Sequence, residues 1–229
     1  MKQAKTRLLL LATGETRYHD HRAIGLFLKT LLRDAGFSVT LVENVSALAA
    51  ENLCRCDAVV TYTVNAAAPE TSVRKLCEAI AGITLNDRGR PAGFIGIHGA
   101  TTSFQNSNDY KEMIGATFIT HPEWGPEYRF SVRDPAHPVT KGVVDFILQD
   151  ELYLFETHAA FHTLVSCHYE GSERPVVWCK PYGRGRICYI ALGHGVTQLQ
   201  HAAVGRLILN GIRWATTDNG GYNGGGVLQ

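Results

Sequence analysis

Residues 7–36 read RLLLLATGETRYHDHRAIGLFLKTLLRDAG, and this stretch indicates the fold class. Its first part, Arg7–Gly14, is a continuous apolar run closed by glycine, which is typical of a strand buried on both faces. After a polar loop, residues 23–35 repeat apolar side chains at helical spacing, and Gly36 ends that segment. A buried strand followed by an amphipathic helix is the building unit of a parallel sheet covered by helices.

The alternation of strand and helix continues as far as residue 115. Further strand segments lie at 37–43, 57–64 and 92–98, and they alternate with helical segments at 46–53, 69–81 and 108–114. Pro69 stands in the first turn of its helix and Gly82 follows the last turn, as is usual at helix boundaries. Consecutive units of this kind predict an α/β fold with a mainly parallel central sheet.

The second half of the chain has a different pattern, with shorter strands separated by polar turns. Strands are predicted at 128–133, 152–156, 163–169, 175–179 and 186–192, and an amphipathic helix at 198–214. The glycines of KPYGRG, residues 180–185, are typical of a hairpin turn. Because no linker or internal repeat interrupts the chain, residues 1–218 are predicted to form a single domain. Residues 219–229 contain five glycines and are expected to form a flexible tail.

The composition excludes several functional classes. Of the 229 residues 45% are hydrophobic, and the net charge of +1 argues against an electrostatic nucleic-acid binder. No apolar run approaches the ~20 residues that cross a bilayer, so no membrane segment is expected. The N-terminal apolar run, residues 8–12, is shorter than the ~7–15-residue core of a signal peptide. We therefore expect a cytoplasmic protein whose partner is a small molecule and not a nucleic acid or a membrane.

The six cysteines point to the same compartment. None forms a C-x2-C pair, and most lie in apolar segments, where a free cysteine acts as a small buried hydrophobe. Free cysteines of this kind are typical of a reducing environment. The apolar strands and the last helix are also compatible with a homo-oligomer, although no segment marks an interface.

The ten histidines are the conspicuous compositional feature, and their positions divide them into candidate site residues and structural or exposed residues. Ligands of open parallel sheets bind beyond the C-terminal ends of the strands. His98 stands there in GFIGIHGATTSF, where small neighbours permit a tight strand-to-helix turn that presents the imidazole. His194 ends a strand between the two glycines of ALGHG. His121 lies in FITHPEW, where the following proline keeps its backbone extended.

Other polar side chains accompany these three histidines. Asp150 and Glu151 are adjacent in QDELY, and in an extended segment they point in opposite directions; we favour Glu151 as the one that faces the cleft. His19 and His21 follow the first strand at the same sheet edge and are interpreted as rim residues. His201 opens the last helix, where the helix dipole disfavours a cation and a neutral ring is expected. The remaining histidines are interpreted as structural or exposed: His137, His158, His162 and His168.

Several motifs occur in a fixed order: GFIGIHGATTSF, then Y-x3-IGA-x-F-x-x-HP, then DELY, then PVVW and YGRGRI-x-YIALGHG. Through them the sequence resembles the ThuA-like (trehalose utilisation protein A) family over residues 7–216. The resemblance implies a class I glutamine-amidotransferase-like fold, a flavodoxin-like three-layer α/β sandwich. It also implies a role in the use of trehalose or related disaccharides, including their keto forms. Its recurrent polar positions are His98, His121, Glu151 and His194, and zinc is the divalent metal that some members look able to hold.

Relatives of that fold include glutaminases with a Cys–His–Glu triad, whose nucleophile stands on the turn after a strand. This chain has His98 at that position, and the nearest cysteine, Cys77, belongs to the preceding helix. Without a thiolate the covalent glutaminase reaction is not available, so a cysteine-dependent glutaminase is not expected. The string HPE at 121–123 is interpreted as a chance similarity to a glutaminase signature.

Three hypotheses on function follow. The first is a sugar-active enzyme, an isomerase or a hydrolase, in which His98 and His194 act as general acid and base and Glu151 orients a ring. Its expected substrate-binding residues are His19, Asn106, Asn108, His121, Trp124 and Tyr153. The second is a metal-dependent hydrolase whose ligands are His98, His121, Glu151 and His194. The third is a non-catalytic sugar-binding or regulatory domain.

Overall fold

The computed structural model describes residues 4–124 and 127–217, so the expected tail at 219–229 lies outside the described residues. The strands of the first half are β1 (Arg7–Gly14), β2 (Ser38–Val42), β3 (Ala58–Val64), β4 (Gly93–Ile97) and β5 (Ala116–Thr120). Its helices are α1 (His21–Asp34), α2 (Ala50–Leu53), α3 (Glu70–Ala81) and α4 (Asn108–Ile114). The predicted alternation of strand and helix is therefore confirmed.

The second half contains mostly strands and closes with a helix. Its strands are β6 (Tyr128–Val132), β7 (Phe146–Leu148), β8 (Leu154–Thr157), β9 (His162–Tyr169), β10 (Ser172–Tyr182) and β11 (Gly185–Ile190). The helices are α5 (Val196–Leu199) and α6 (Ala202–Thr216), and short 3₁₀ helices occur at Val45–Leu48, His98–Thr102 and Pro138–Thr140. Within the described ranges, no helix combines the length and the apolar character that a membrane span requires.

Two predicted helices are interrupted in the structure. The segment 46–53 divides into a 3₁₀ turn and the single turn of α2, because Ala49 between them has an extended backbone. The segment 198–214 likewise begins as α5 and restarts as α6 at His201. The Nδ1 atom of His201 accepts the N–H of Ala203, so the neutral role expected for this ring agrees with its place as the helix cap.

The central sheet has nine strands in the order β2-β1-β3-β4-β11-β10-β9-β6-β7. The neighbours from β2 to β11 are parallel, whereas those from β11 to β7 are antiparallel. The expectation of a mainly parallel sheet is thus not confirmed, because the sheet is mixed. The reason is the length of the connections. Glu170 and Gly171 alone join β9 to β10, and a two-residue turn can connect only antiparallel neighbours.

Helices cover both faces of the parallel part of the sheet. Gly93 of β4 faces α6, where an added Cβ would press against Ala215, while the next residue, Phe94, packs edge-on against Tyr110 of α4. Alternate residues of one strand therefore contact helices of opposite layers, as in a three-layer sandwich. All seven residues of β3 are buried, which accounts for its uninterrupted apolar and threonine sequence.

The end of β1 is built around a glycine. Gly14 has φ +127°, and a Cβ at this position would overlap the carbonyl oxygen of Val64, its partner at the end of β3. Only glycine fits such a close approach of two backbones at positive φ. The loop that leaves β1 at this point is the one that carries His19.

Candidate functional site

The carboxyl ends of the parallel strands bring distant histidines together. His98 follows β4 directly, His194 lies four residues beyond β11, and His19 lies in the loop between β1 and α1. Glu151 comes from the irregular segment between β7 and β8. The structure thus brings these four side chains together at one edge of the sheet, although the first and the last of them, His19 and His194, are separated by 175 positions in the chain.

His98 is the centre of this cluster and is fully buried. Its Nδ1 lies 2.8 Å from the carbonyl oxygen of Ala191, which can only accept, so Nδ1 carries a hydrogen. In the neutral ring Nε2 is then an unprotonated acceptor. It lies 3.1 Å from His19 Nε2, 3.0 Å from the Tyr153 hydroxyl and 3.3 Å from Glu151 Oε2. A bare ring nitrogen facing a carboxylate oxygen requires a proton or a metal cation to compensate the repulsion.

Glu151 supplies the carboxylate of the cluster, and its side chain is only 10% exposed. Besides His98, its oxygens lie 3.1 Å from His194 Nδ1 and 3.7 Å from His121 Nε2. Burial alone would raise the pKa of Glu151, but the rings of His194 and His98, when they carry a proton, outweigh burial and hold that pKa well below its usual range. The carboxylate is therefore ionised at neutral pH.

His19 is a buried member of the cluster, not a rim residue as its loop position suggested. Burial, together with the nearby rings of His98 and His194, lowers the pKa of His19 to about 3. A neutral imidazole is the form that binds metals. Its Nδ1 is also buried and has no hydrogen-bond partner among the described residues.

The main chain of His194 is held on two sides. Asp150, only 2% exposed, accepts the N–H of Gly193 at 2.6 Å and of His194 at 3.2 Å, and the N–H of Glu151 at 2.9 Å. From β3, the hydroxyl of Tyr62 donates to the carbonyl of His194 at 2.9 Å. These bonds fix the backbone from which the ring projects.

Aromatic rings line the outer side of the cluster. Tyr153 is buried, and its ring is nearly parallel to that of His121, with centroids 6.1 Å apart. Trp124 is 49% exposed, and its ring lies 5.1 Å from the ring of His194. The expected binding residues His121, Trp124 and Tyr153 therefore do lie beside the cluster, and Trp124 offers an apolar surface to an incoming ligand.

Four side chains present metal-ligand atoms within 4.8 Å of one another: His19, His98, Glu151 and His194. The predicted set contained His121 in place of His19. His121 Nε2 lies 3.7 Å from the second carboxylate oxygen of Glu151, whereas His19 Nε2 faces His98 Nε2 directly at 3.1 Å. The candidate ligand set that the geometry favours is therefore three histidines and one glutamate, a donor set that suits zinc.

Asn106 and Asn108 do not join the site. The 3₁₀ helix after β4 turns the chain back, and the N–H of Phe104 bonds to the carbonyl of Ala66 in the loop after β3. This carries Asn106 and Asn108 to the exposed surface, and among the described residues neither contacts the cluster. The structure therefore gives no support to their prediction as ligand-binding residues, which assumed that the chain continues outward from His98.

Sequence reasoning missed the residues that support the cluster from behind. Tyr62 stacks on His98, with centroids 6.1 Å apart and planes 16° apart, and the hydroxyl of Tyr189 donates to the carbonyl of His98 at 2.6 Å. Both tyrosines lie within apolar strands, where the sequence pattern predicts residues of the hydrophobic core. Asp150 could have been suspected from its place beside Glu151, but its partners on the loop after β11 leave no trace in the sequence.

A second histidine cluster lies under α6 and is structural. His137 Nδ1 accepts the N–H of Val139, so in the neutral ring Nε2 carries the hydrogen that faces Cys179 Sγ at 3.5 Å. His137 therefore cannot accept a proton from this thiol, and burial raises the pKa of Cys179 to about 12. His162, beside it, pairs with Asp134 at 2.8 Å. No activated nucleophile results.

The buried ring of His137 should make the stability of the protein depend on pH. Burial lowers the pKa of His137 to about 4, whereas a histidine in the unfolded chain titrates near 6.5. The unfolded state thus takes up a proton first, and the stabilisation present above pH 6.5 is lost as the pH falls toward 4. Urea unfolding at pH 7 and pH 4.5 should show the free energy of unfolding of the wild type falling by about 2 kcal/mol from this group.

The matched variant is His137→Asn, since asparagine can still cap the turn but does not titrate. It is expected to be less stable than the wild type at pH 7 and to lose less stability on acidification. Equal losses in the two proteins would contradict the role assigned to His137.

The fold and the polar cluster together define an α/β protein with a buried polar cluster at the carboxyl ends of its parallel strands, the place where folds of this kind bind ligands. The family model of ThuA, described as trehalose utilisation, matches residues 7–215. The chain therefore belongs to the ThuA family. No curated protein matches the chain significantly in sequence.

Solved structures with the same fold include two putative ThuA-like proteins. The one from Parabacteroides merdae is 22% identical, covers 93% of this chain and 91% of its own, and has a TM-score of 0.77. The one from Bacteroides uniformis is 18% identical, covers 94% and 93%, and has a TM-score of 0.72. A protein of Salmonella typhimurium LT2, described as cytoplasmic, is 12% identical over 92% and 99%, with a TM-score of 0.64. At these identities the similarity establishes the fold alone.

Proposed function

We propose that this protein is a metal-dependent, sugar-active enzyme of carbohydrate utilisation, located in the cytoplasm. Its metal ligands are His19, His98, Glu151 and His194, and its substrate is a neutral disaccharide such as trehalose or a keto derivative. The observation that carries the proposal is the convergence of four ligand atoms within 4.8 Å of one another at the carboxyl edge of the sheet. Membership of a family described as trehalose utilisation supports the substrate class.

Three of the distances between the donors are close to those around a zinc ion. Ligand atoms around tetrahedral zinc lie roughly 3.3 Å apart, since Zn–N bonds are about 2.0–2.1 Å long. Here His98 Nε2 is 3.1 Å from His19 Nε2 and 3.3 Å from Glu151 Oε2, which is 3.1 Å from His194 Nδ1. His98 also donates its other ring hydrogen to a backbone carbonyl, as metal-binding histidines usually do. A bound divalent cation would polarise a substrate carbonyl or lower the pKa of a bound hydroxyl group.

The surrounding residues have separate roles. The hydroxyl of Tyr153, 3.0 Å from His98 Nε2, can donate a hydrogen bond to a substrate oxygen once that nitrogen is occupied. Trp124 supplies an exposed apolar face against which a sugar ring can lie. His121 is partly exposed beside the cluster, and its Nε2, which lies 3.7 Å from Glu151 Oε1, can bind a sugar hydroxyl.

A second candidate is a metal-free acid–base enzyme acting on the same sugars, as an isomerase or a hydrolase. The contact between His98 Nε2 and the ionised Glu151 favours it, because a proton can take the place of the cation there. His194, on the other side of the same carboxylate oxygen, would be the second proton-transfer group.

Metal analysis of the purified protein distinguishes these candidates. We expect about one zinc or similar divalent ion per chain, removal of the ion by a chelator, and loss of keto-disaccharide turnover until the ion is restored. The matched control is His168→Ala, which removes an exposed histidine of β9 and should change neither metal content nor turnover.

Each other outcome selects a different function. Turnover that is unaffected by a chelator would reject the metal and favour the acid–base enzyme. Sugar binding without a product across a panel of disaccharides would reject both and leave a binding or regulatory domain.

A further inference from the structure

The loop after β11 is tied to the segment before β8 by one buried carboxylate. Asp150 Oδ2 accepts the N–H of Gly193 at 2.6 Å, while Oδ1 accepts those of His194 at 3.2 Å and of Glu151 at 2.9 Å. A single side chain thus binds the main chains of two of the four proposed metal ligands. It has no ligand atom in the cluster itself.

Two successive N–H groups of this loop depend on the same acceptor. Gly193 has φ +115°, and its N–H and that of His194 both bond to Asp150, so two largely buried donors are satisfied by one side chain. On the opposite side the carbonyl of His194 accepts the hydroxyl of Tyr62 at 2.9 Å. The His194 peptide is therefore fixed between two buried side chains, and its ring is aimed so that Nδ1 lies 3.1 Å from Glu151 Oε2.

We propose that Asp150 is a positioning residue that holds His194 and Glu151 in register and thereby sets the affinity of the cluster for a divalent cation. This inference rests on the proposed metal-dependent function. The carboxylate is suited to the task because it is only an acceptor, and three N–H donors converge on it. Asparagine has the same shape, but its NH₂ group would meet one of those N–H groups and push the loop away.

The test compares Co²⁺ binding by the wild type, Asp150→Asn and Asp150→Glu, by calorimetry and by the visible absorption of the bound cobalt. Loss of an outer partner of a metal ligand typically costs roughly 10- to 100-fold in affinity, and we expect this for Asp150→Asn together with a shifted cobalt spectrum. Asp150→Glu retains both acceptor oxygens and should recover part of the affinity. Asp145→Asn, the same chemical change at an exposed carboxylate that accepts the N–H of Val132, is the matched control and should bind as the wild type does.

Amide hydrogen exchange of Gly193 and His194 provides a readout that does not depend on the metal. Both amides should exchange faster in Asp150→Asn than in the wild type, while the core strands remain protected. Wild-type affinity and spectrum in Asp150→Asn would overturn the proposal. A wild type that binds no Co²⁺ would reject the proposed function instead, and unchanged exchange at both amides would then overturn the positioning role as well. If Asp150→Asn does not fold, the Asp150→Glu variant decides. The proposal is overturned if this variant binds cobalt as tightly as the wild type and its two amides exchange at the wild-type rate. An affinity below that of the wild type supports the proposal.

Discussion

Replacing His98 with alanine should lower turnover of a keto-disaccharide by about a thousandfold and remove the bound metal, while the protein still folds. The expected size of the effect follows from the central place of the ring. His98 Nε2 is within 3.3 Å of His19, Tyr153 and Glu151, so its loss leaves no atom that touches all three. The remaining ligands cannot close around the gap, because their backbones are fixed by separate elements.

A loss of turnover caused by removal of the imidazole must be distinguished from a loss caused by unfolding. His98 has φ +47°, a left-handed conformation that costs alanine about 1–2 kcal/mol but that asparagine tolerates. His98→Asn therefore keeps the backbone and removes the imidazole, and we expect it to be as inactive as His98→Ala but more stable. Metal content, turnover and thermal unfolding of both variants provide the measurement. Turnover within tenfold of the wild type in either one would contradict the role given to this ring.

The largest effect on stability is expected for Gly14→Ala, which should lower the free energy of unfolding by about 4 kcal/mol or more. Two penalties combine at this position. The backbone has φ +127°, and the new methyl group would overlap the carbonyl oxygen of Val64. Relief would require β1 and β3 to separate at their paired ends, which would also displace the loop that carries His19.

A second glycine provides the matched control. Gly36, after α1, also has positive φ, +95°, but a Cβ there would meet no atom within 4 Å. Gly36→Ala should therefore cost only about 1–2 kcal/mol, the strain of the backbone alone. Urea denaturation of both variants distinguishes the cost of backbone strain from the cost of overlap with Val64. Equal losses in the free energy of unfolding would show that the close contact with Val64 does not destabilise Gly14→Ala.

The sequence was sufficient to predict the first half of the fold because each strand and helix there is specified locally. Arg7–Gly14 can only be a buried strand, and the helix at Asn108–Ile114 has its predicted bounds. The mixed arrangement of parallel and antiparallel strands was harder to predict from the sequence. It depends on which strands become neighbours, and β11 pairs with β4 across nearly 90 intervening residues, from Ile97 to Gly185.

For the site, the sequence located the ends of strands but not the directions of loops. His98 and His194 could be predicted because each follows a buried strand directly or within a few residues. His19 was expected at the rim but is buried within the cluster, whereas Asn106 was expected beside a ligand but is exposed. The sequence could not predict either direction for the same reason. A loop of five or more residues can turn inward or outward, and tertiary contacts such as that of Phe104 with Ala66 decide which.

The origin of the four cluster residues has a consequence for the assembly of the molecule. His19 and His98 belong to the first half of the chain, and Glu151 and His194 to the second, so neither half alone can provide more than two ligands. A cation held by all four would bind only the completed sheet, and at a thousandfold excess over its dissociation constant it would stabilise that state by about 4 kcal/mol. Metal availability in the cell would then govern how much of this chain survives as folded protein, as well as how fast it works.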